Sequence, residues 1–140
     1  RTVVLRAVDQ GAATLDIHSH SDAGKVAQIR SDPAAALHVW DAKANLQIRM
    51  RGQARLEIDT PRAQQVFDAM PPRNQQIYRA GPAPGAVITS PADAHFEAEA
   101  KFALIRIALE EIELLHLDRT RHTRALYARA DGWSGRWLVP

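Results

Sequence analysis

The sequence predicts a mainly β fold, a small antiparallel barrel with short helices at its periphery. Residues 46–58 carry the clearest sign of it. Leu46, Ile48, Met50, Gly52, Ala54, Leu56 and Ile58 alternate with Gln47, Arg49, Arg51, Gln53, Arg55 and Glu57, the period-2 pattern of a strand with one wet face. Further short runs rich in β-branched residues recur between turn residues. No regular alternation of strand and helix runs through the chain, which argues against a parallel doubly wound sheet. At 140 residues and 46% apolar composition, a single domain over residues 1–140 is expected.

Taken in order, the opening hexapeptide Arg1-Thr2-Val3-Val4-Leu5-Arg6 reads as a strand. Alternation then puts Arg1, Val3 and Leu5 on one side and Thr2, Val4 and Arg6 on the other, so the two arginines would serve different partners. Residues 3–8 and 13–19 form a hairpin around Asp9-Gln10-Gly11. Asp22 is placed to N-cap a short helix through Lys25, Val26 and Ile29, which Pro33 ends. A strand over 35–40 turns through 41–45 into the alternating strand. Thr60-Pro61 then caps a helix whose apolar stripe is Val66, Phe67 and Met70, and Pro71-Pro72 stops it. A second helical stretch covers 73–79, and Gly81-Pro82-Ala83-Pro84-Gly85 imposes a loop. Residues 102–117 fit either a helix or a strand with a bulge at Glu110-Glu111. Residues 124–129 and 136–139 close the chain as a hairpin around Asp131-Gly132.

The net charge of +2, from 18 Lys and Arg against 16 Asp and Glu, is too small to make a nucleic-acid footprint obvious despite the basic isoelectric point. Lysine is confined to Lys25, Lys43 and Lys101, so arginine carries the positive charge, and its planar fork suits anions. The absence of cysteine excludes disulfides, thiolate metal sites and cysteine nucleophiles, and fits a cytoplasmic protein. No apolar run is long enough for a membrane helix. The chain opens without Met and directly in a strand pattern, so a lead-in before Arg1 is expected.

His18-Ser19-His20-Ser21-Asp22-Ala23-Gly24-Lys25 joins a strand end to a helix start, where backbone N–H groups and the helix dipole favour an anion. Ser19 and Lys25 are placed to contact a phosphate, with ordinary helix capping as the simpler account. His18 and His20 share a strand face, but a metal site would need a further ligand such as His38, and hydrogen-bonded histidines are the commoner case. No local signature supports a Ser-His-Asp triad. Gln47, Arg49 and Arg51 form a row of donors able to read a heterocycle edge or a phosphate. Arg119, Arg121, His122 and Arg124, with Trp133 and Trp137, raise the rival reading of a basic nucleic-acid module.

In their order and spacing these segments resemble the pyridoxamine 5'-phosphate oxidase-like flavoproteins, the FMN-binding split-barrel family. The similarity runs essentially end to end. The opening hexapeptide is similar to the family's first FMN-binding strand, and His18-Ser19 occupies the place of its usual Tyr-Thr pair. Lys25 stands at the lysine of its Ser-Arg-Lys phosphate motif, and Asp32-Pro33 echoes its Asn-Pro. Leu46-Gln47-Ile48-Arg49-Met50-Arg51-Gly52 resembles its Arg-Gln-Val-x-Val-x-Gly strand, and Arg124-Ala125-Leu126-Tyr127 with Trp133 and Leu138-Val139-Pro140 resembles its terminal motif.

The resemblance implies a split barrel that binds FMN through residues 1–6 (Arg1, Thr2, Val3, Val4, Leu5 and Arg6), His18, Ser19, Lys25, Gln47 and Arg124. Arg1, Ser19 and Lys25 would neutralise the phosphate, and Gln47 and Arg124 would meet the flavin ring. It also implies a homodimer with FMN at the interface, and an oxidoreductase acting on a small molecule, with Arg6 and His122 on the substrate side. Gly24 replaces the arginine of the phosphate motif. Phe67, Pro71, Gln75 and Thr120 stand where the family's oxidase holds its substrate with polar or charged side chains, which argues against oxidation of a phosphorylated vitamer. The same departures raise a second possibility, a protein of this fold that holds flavin without turnover.

Overall fold

A computed structural model describes residues 1–140. In chain order the elements are β1 (Leu5–Asp9), β2 (Thr14–His20), α1 (Gly24–Ser31), β3 (Ala34–Asp41), β4 (Leu46–Glu57), α2 (Pro61–Asp68), α3 (Pro72–Gln75), β5 (Ala80–Gly81), β6 (His95–Phe96), β7 (Phe102–His116), β8 (Thr123–Ala128) and β9 (Gly135–Leu138). Single 3-10 turns cover Gln76–Arg79, Pro91–Asp93 and Arg129–Asp131. The main sheet is antiparallel and runs β1-β2-β7-β4-β3, with β8 on β7 and β9 on β8. β5 and β6 form a separate pair that the sequence pattern did not indicate.

The central strand β7 explains both the shape and the ambiguity of its sequence. β4 runs along one edge for nearly its whole length, while the other edge pairs with β2 over residues 102–108 and with β8 over 111–116. The sheet therefore splits where the partner changes. Residues 102–105 are buried on both faces of β7, whereas beyond them Arg106 is partly exposed and Ala108 is exposed. Ile105, Ile107 and Leu109 join Leu15, Ile17 and Ala54 in the barrel core, while Phe102 and Leu104 join Ala63, Phe67 and Tyr78 beneath α2. A strand covered on both sides reads as a continuous apolar run, and periodicity alone cannot separate that from a helix.

The bulge lies where the sequence placed it. Gly52 pairs with Leu109 and Arg51 with Glu111, leaving Glu110 as the extra residue. Up to Leu109 the odd-numbered residues of β7 point into the barrel. One inserted residue reverses the phase, so that Ile112 packs on the core while Glu111 and Glu113 stand opposite Arg51 and Arg49 on the outer face.

Several expectations are corrected. The opening hexapeptide is not a strand throughout, since residues 1–4 precede β1 and pairing jumps from Leu5↔Ile17 to Ala7↔Asp16. Arg6 is the extra residue of a bulge in an edge strand, so simple alternation does not relate its face to that of Arg1. Asp22 does not cap α1. Ala23 holds that position with no side-chain bond, because the Asp22 carboxylate is drawn to Lys101 at 3.3 Å. The stretch over 73–79 is α3 followed by a 3-10 turn, and the last hairpin begins at Thr123 and ends at Leu138. Thr60 does cap α2, its hydroxyl accepting from the Ala63 N–H at 3.1 Å.

Candidate functional site

Two clefts meet along β3, an edge strand of the sheet. The first, about 290 Å³, lies between the N-terminal segment, α1 and β3, and is lined by Arg1, Val3, Ile17, Lys25, Gln28 and Ile29 among others. Lys25 and Gln28 reach it together because they are three positions apart on α1. The Lys25 ammonium donates to the buried Ser19 hydroxyl at 3.2 Å, and the Arg1 guanidinium donates to the Gln28 side-chain oxygen. Neither cation has a carboxylate partner. The carboxylate that also lines this cleft, Asp32, accepts the Ala34 N–H at 2.9 Å. No acidic residue and no side-chain cap occupies the first turn of α1, so its positive dipole end adds to the field.

Asp22 sits three residues before Lys25, where an unpaired carboxylate would oppose an anion. Lys101 neutralises it at 3.3 Å and is itself held by Glu97 at 2.9 Å. These two carboxylates raise the Lys101 pKa above its ordinary value, chiefly through hydrogen bonds. The Asp22 N–H donates to His20 Nδ1, and the His20 Nε2 N–H donates to the Ala80 carbonyl.

The second cleft, about 580 Å³, lies on the outer face of β3, β4, β7 and β8. Gln47, Arg49 and Arg51 line it from one strand and Arg124 from another, so the structure brings Gln47 and Arg124 together as expected. Here the arginines are paired. Glu113 accepts from Arg124 at 2.7 Å and from Arg49 at 3.4 Å, and Glu111 accepts from Arg51. Arg124 Nε is buried with no hydrogen-bond partner. Trp40 is paired with Gln47 across β3 and β4 and shares its face, with 47% of its surface exposed.

Val3 lines the first cleft and packs on the barrel core. Other predicted residues lie elsewhere. Thr2, Val4 and Leu5 are exposed. His18 lies on the face of β2 opposite Ile17 and Ser19, its ring edge-on to Phe102 at 5.1 Å and Tyr78 at 6.5 Å. Burial, then the Arg6 charge, lower its pKa below the ordinary value, with Asp16 acting the other way. Burial pushes the Tyr78 phenol up, and the nearby Arg6 guanidinium offsets part of this. Arg6 thus joins His18 and Tyr78 rather than Arg1. His122 is exposed in the loop between β7 and β8, which places it in neither cleft.

No group of three or more His, Cys, Asp or Glu side chains is arranged to hold a metal ion. Trp133 packs on the barrel core, with the Arg129 guanidinium 5.5 Å from its ring centre, and so does not form an open stacking pair with Trp137. Sequence reasoning missed Gln28, Lys101, Glu111, Glu113 and Trp40. Only Gln28 carried a local signal, its helical spacing from Lys25. The others act through pairings across strands or between segments, whose register the local pattern does not fix.

No family model and no curated protein sequence matches the chain. Solved structures do. A pyridoxamine 5'-phosphate oxidase-related, FMN binding protein from Nostoc punctiforme superposes with a TM-score of 0.82 at 21% identity, over 100% of this chain and 79% of that one. PhzG from Burkholderia lata, in complex with tetrahydrophenazine-1-carboxylic acid, superposes with a TM-score of 0.76 at 17% identity, over 100% of this chain and 74% of its own. The resemblance read from the sequence is therefore borne out as a fold: the chain is an antiparallel split barrel of the kind found in pyridoxamine 5'-phosphate oxidase-related proteins.

Proposed function

We propose that the chain is a cytoplasmic, homodimeric FMN-binding protein that acts as an oxidoreductase on a small molecule. The observation that carries this reading is the contrast between the two clefts. Arg1 and Lys25 have no carboxylate partner, so they can accept a phosphate without breaking an ion pair. In the second cleft Arg49, Arg51 and Arg124 are all paired with carboxylates, which suits a neutral ring edge better than a second phosphate.

The residues present fit FMN on two grounds of their own. The Lys25–Ser19 pair beside Arg1 and the α1 dipole forms an anion cradle, and the orphaned Arg124 Nε is a buried donor in need of an acceptor. Bound FMN would supply the electron transfer. Arg1, Ser19 and Lys25 hold the phosphate, while the Gln47 amide and the Arg124 guanidinium orient the ring by hydrogen bonds. Arg6 and His122 remain the substrate-side candidates. The FMN-binding Nostoc protein of the same fold supports the cofactor.

Dimerisation is supported by what a single chain leaves uncovered. Only 22 of 140 residues are buried, while Val39 and Trp40 on β3, Trp137 on β9 and Val139 after it remain exposed. Large apolar side chains along open sheet edges mark a surface that a partner covers. A twofold dimer would supply two equivalent sites, with FMN at the interface.

The test is an absorption spectrum of the purified protein with an FMN titration followed by tryptophan fluorescence, Trp40 serving as the reporter beside Gln47, and light scattering for mass. Flavin bands, quenching and a dimeric mass are expected. A colourless protein whose emission does not respond to FMN overturns the reading. Anaerobic reduction by NADPH or NADH, then repeated reoxidation by acceptors, separates turnover from simple binding.

A further inference from the structure

We infer that Glu113 sets the charge of the ring-facing cleft, and through it the preference of that cleft for oxidised over reduced flavin. The inference rests on the FMN reading above and adds a positioning residue to it. Glu113 is the shared acceptor of the cleft, taking Arg124 at 2.7 Å and Arg49 at 3.4 Å on its two carboxylate oxygens. Its side chain is only 17% exposed, against 59% for Arg49, so it is the least solvated ion of the three and water screens it least.

Two features make the position consequential. The bulge at Glu110 is what delivers Glu113 to the outer face, since without it the residue would point into the barrel. Glu113 also occupies one arm of the Arg124 fork through Nη2, leaving the buried and unpartnered Nε as a donor for a ligand. The carboxylate therefore both aims Arg124 and cancels a unit of positive charge beside it. At neutral pH the ring of reduced flavin carries negative charge that oxidised flavin lacks. A carboxylate under the ring-facing arginine holds down the affinity for the reduced form, and charge placed near the ring is one of the means by which a protein tunes a flavin.

The experiment compares the wild-type dimer with Glu113→Gln, which keeps the size and one acceptor oxygen for Arg124 but removes the charge and the second acceptor. FMN is titrated in its oxidised form and again after dithionite reduction, and the midpoint potential is measured independently. Glu113→Gln is expected to raise the ratio of reduced to oxidised affinity about tenfold, equivalent to about 30 mV for a two-electron couple. The double variant Glu113→Gln, Arg49→Gln restores the net charge and should bring the ratio back to within about threefold of wild type. A residue serving only to pack the cleft would lower both affinities together. Intact FMN binding with a ratio unchanged within twofold in Glu113→Gln overturns this inference alone. A wild-type protein that binds neither form overturns it together with the FMN reading.

Discussion

Replacing Gly52 by alanine tests how the β7 bulge supports the site. A Cβ built at Gly52 would overlap the carbonyl oxygen of Ala108 and lie 2.9 Å from both the Ala108 carbonyl carbon and Leu109 Cα. These are backbone atoms of a strand hydrogen-bonded on both edges, so none can swing aside as a side chain would. Overpacking costs about 1–3 kcal/mol, and contact with backbone alone puts Gly52→Ala at the upper end. In a chain of this length about 3 kcal/mol lowers the melting midpoint by roughly 10 °C. Urea unfolding at fixed protein concentration, followed by tryptophan fluorescence, measures the loss directly. Gly24→Ala is the control, because no atom lies within 4 Å of its added Cβ and alanine is the better helix former. Since the bulge also aims Glu111 and Glu113, FMN affinity should fall in Gly52→Ala and hold in Gly24→Ala. A Gly52→Ala protein within about 0.5 kcal/mol of wild type would refute the reasoning, because surface changes clear of such features fall within that range.

Lys25→Gln removes one charge-assisted hydrogen bond to phosphate, worth about 1.5–3 kcal/mol, so FMN affinity should drop roughly 10- to 150-fold. Riboflavin, which lacks the phosphate, should bind the variant as it binds wild type, and equal losses for both ligands in paired titrations would exclude the phosphate role. His18 has a folded pKa below its ordinary value of 6.5, so the unfolded chain binds the extra proton first. Its contribution is fully present above that value and declines as pH falls from there through the lower folded pKa. Unfolding midpoints at pH 7.5 and 5.5 should therefore differ less in His18→Gln than in wild type. Thr60→Ala deletes the α2 cap and should cost about 1 kcal/mol in urea unfolding, without altering FMN affinity.

Much of the fold was legible because it rests on local rules. The alternation over 46–58 identified β4, Thr60-Pro61 marked the start of α2, and the paired glutamates marked the bulge of β7. The helix-or-strand ambiguity of 102–117 has a physical origin, since burial on both faces at 102–105 and the change of phase at the bulge together erase the period that would have decided it. Asp22 was misread as a cap because its true partner, Lys101, is remote in sequence.

By itself the sequence determined the antiparallel class, the order of the elements and the residue types of an anion site near the start of α1. Each of these depends on neighbours a few positions apart. Only the tertiary structure decided which charges are free, because pairing across strands joins residues more than 60 positions apart, as in Arg49 with Glu113. It also decided the fate of the two opening arginines. The bulge at Arg6 broke the alternation, sending Arg6 to His18 and Tyr78 while Arg1 met Gln28 beside Lys25. Register is a long-range property, and a single inserted residue exchanges the faces of a strand whose local sequence gives no sign of it.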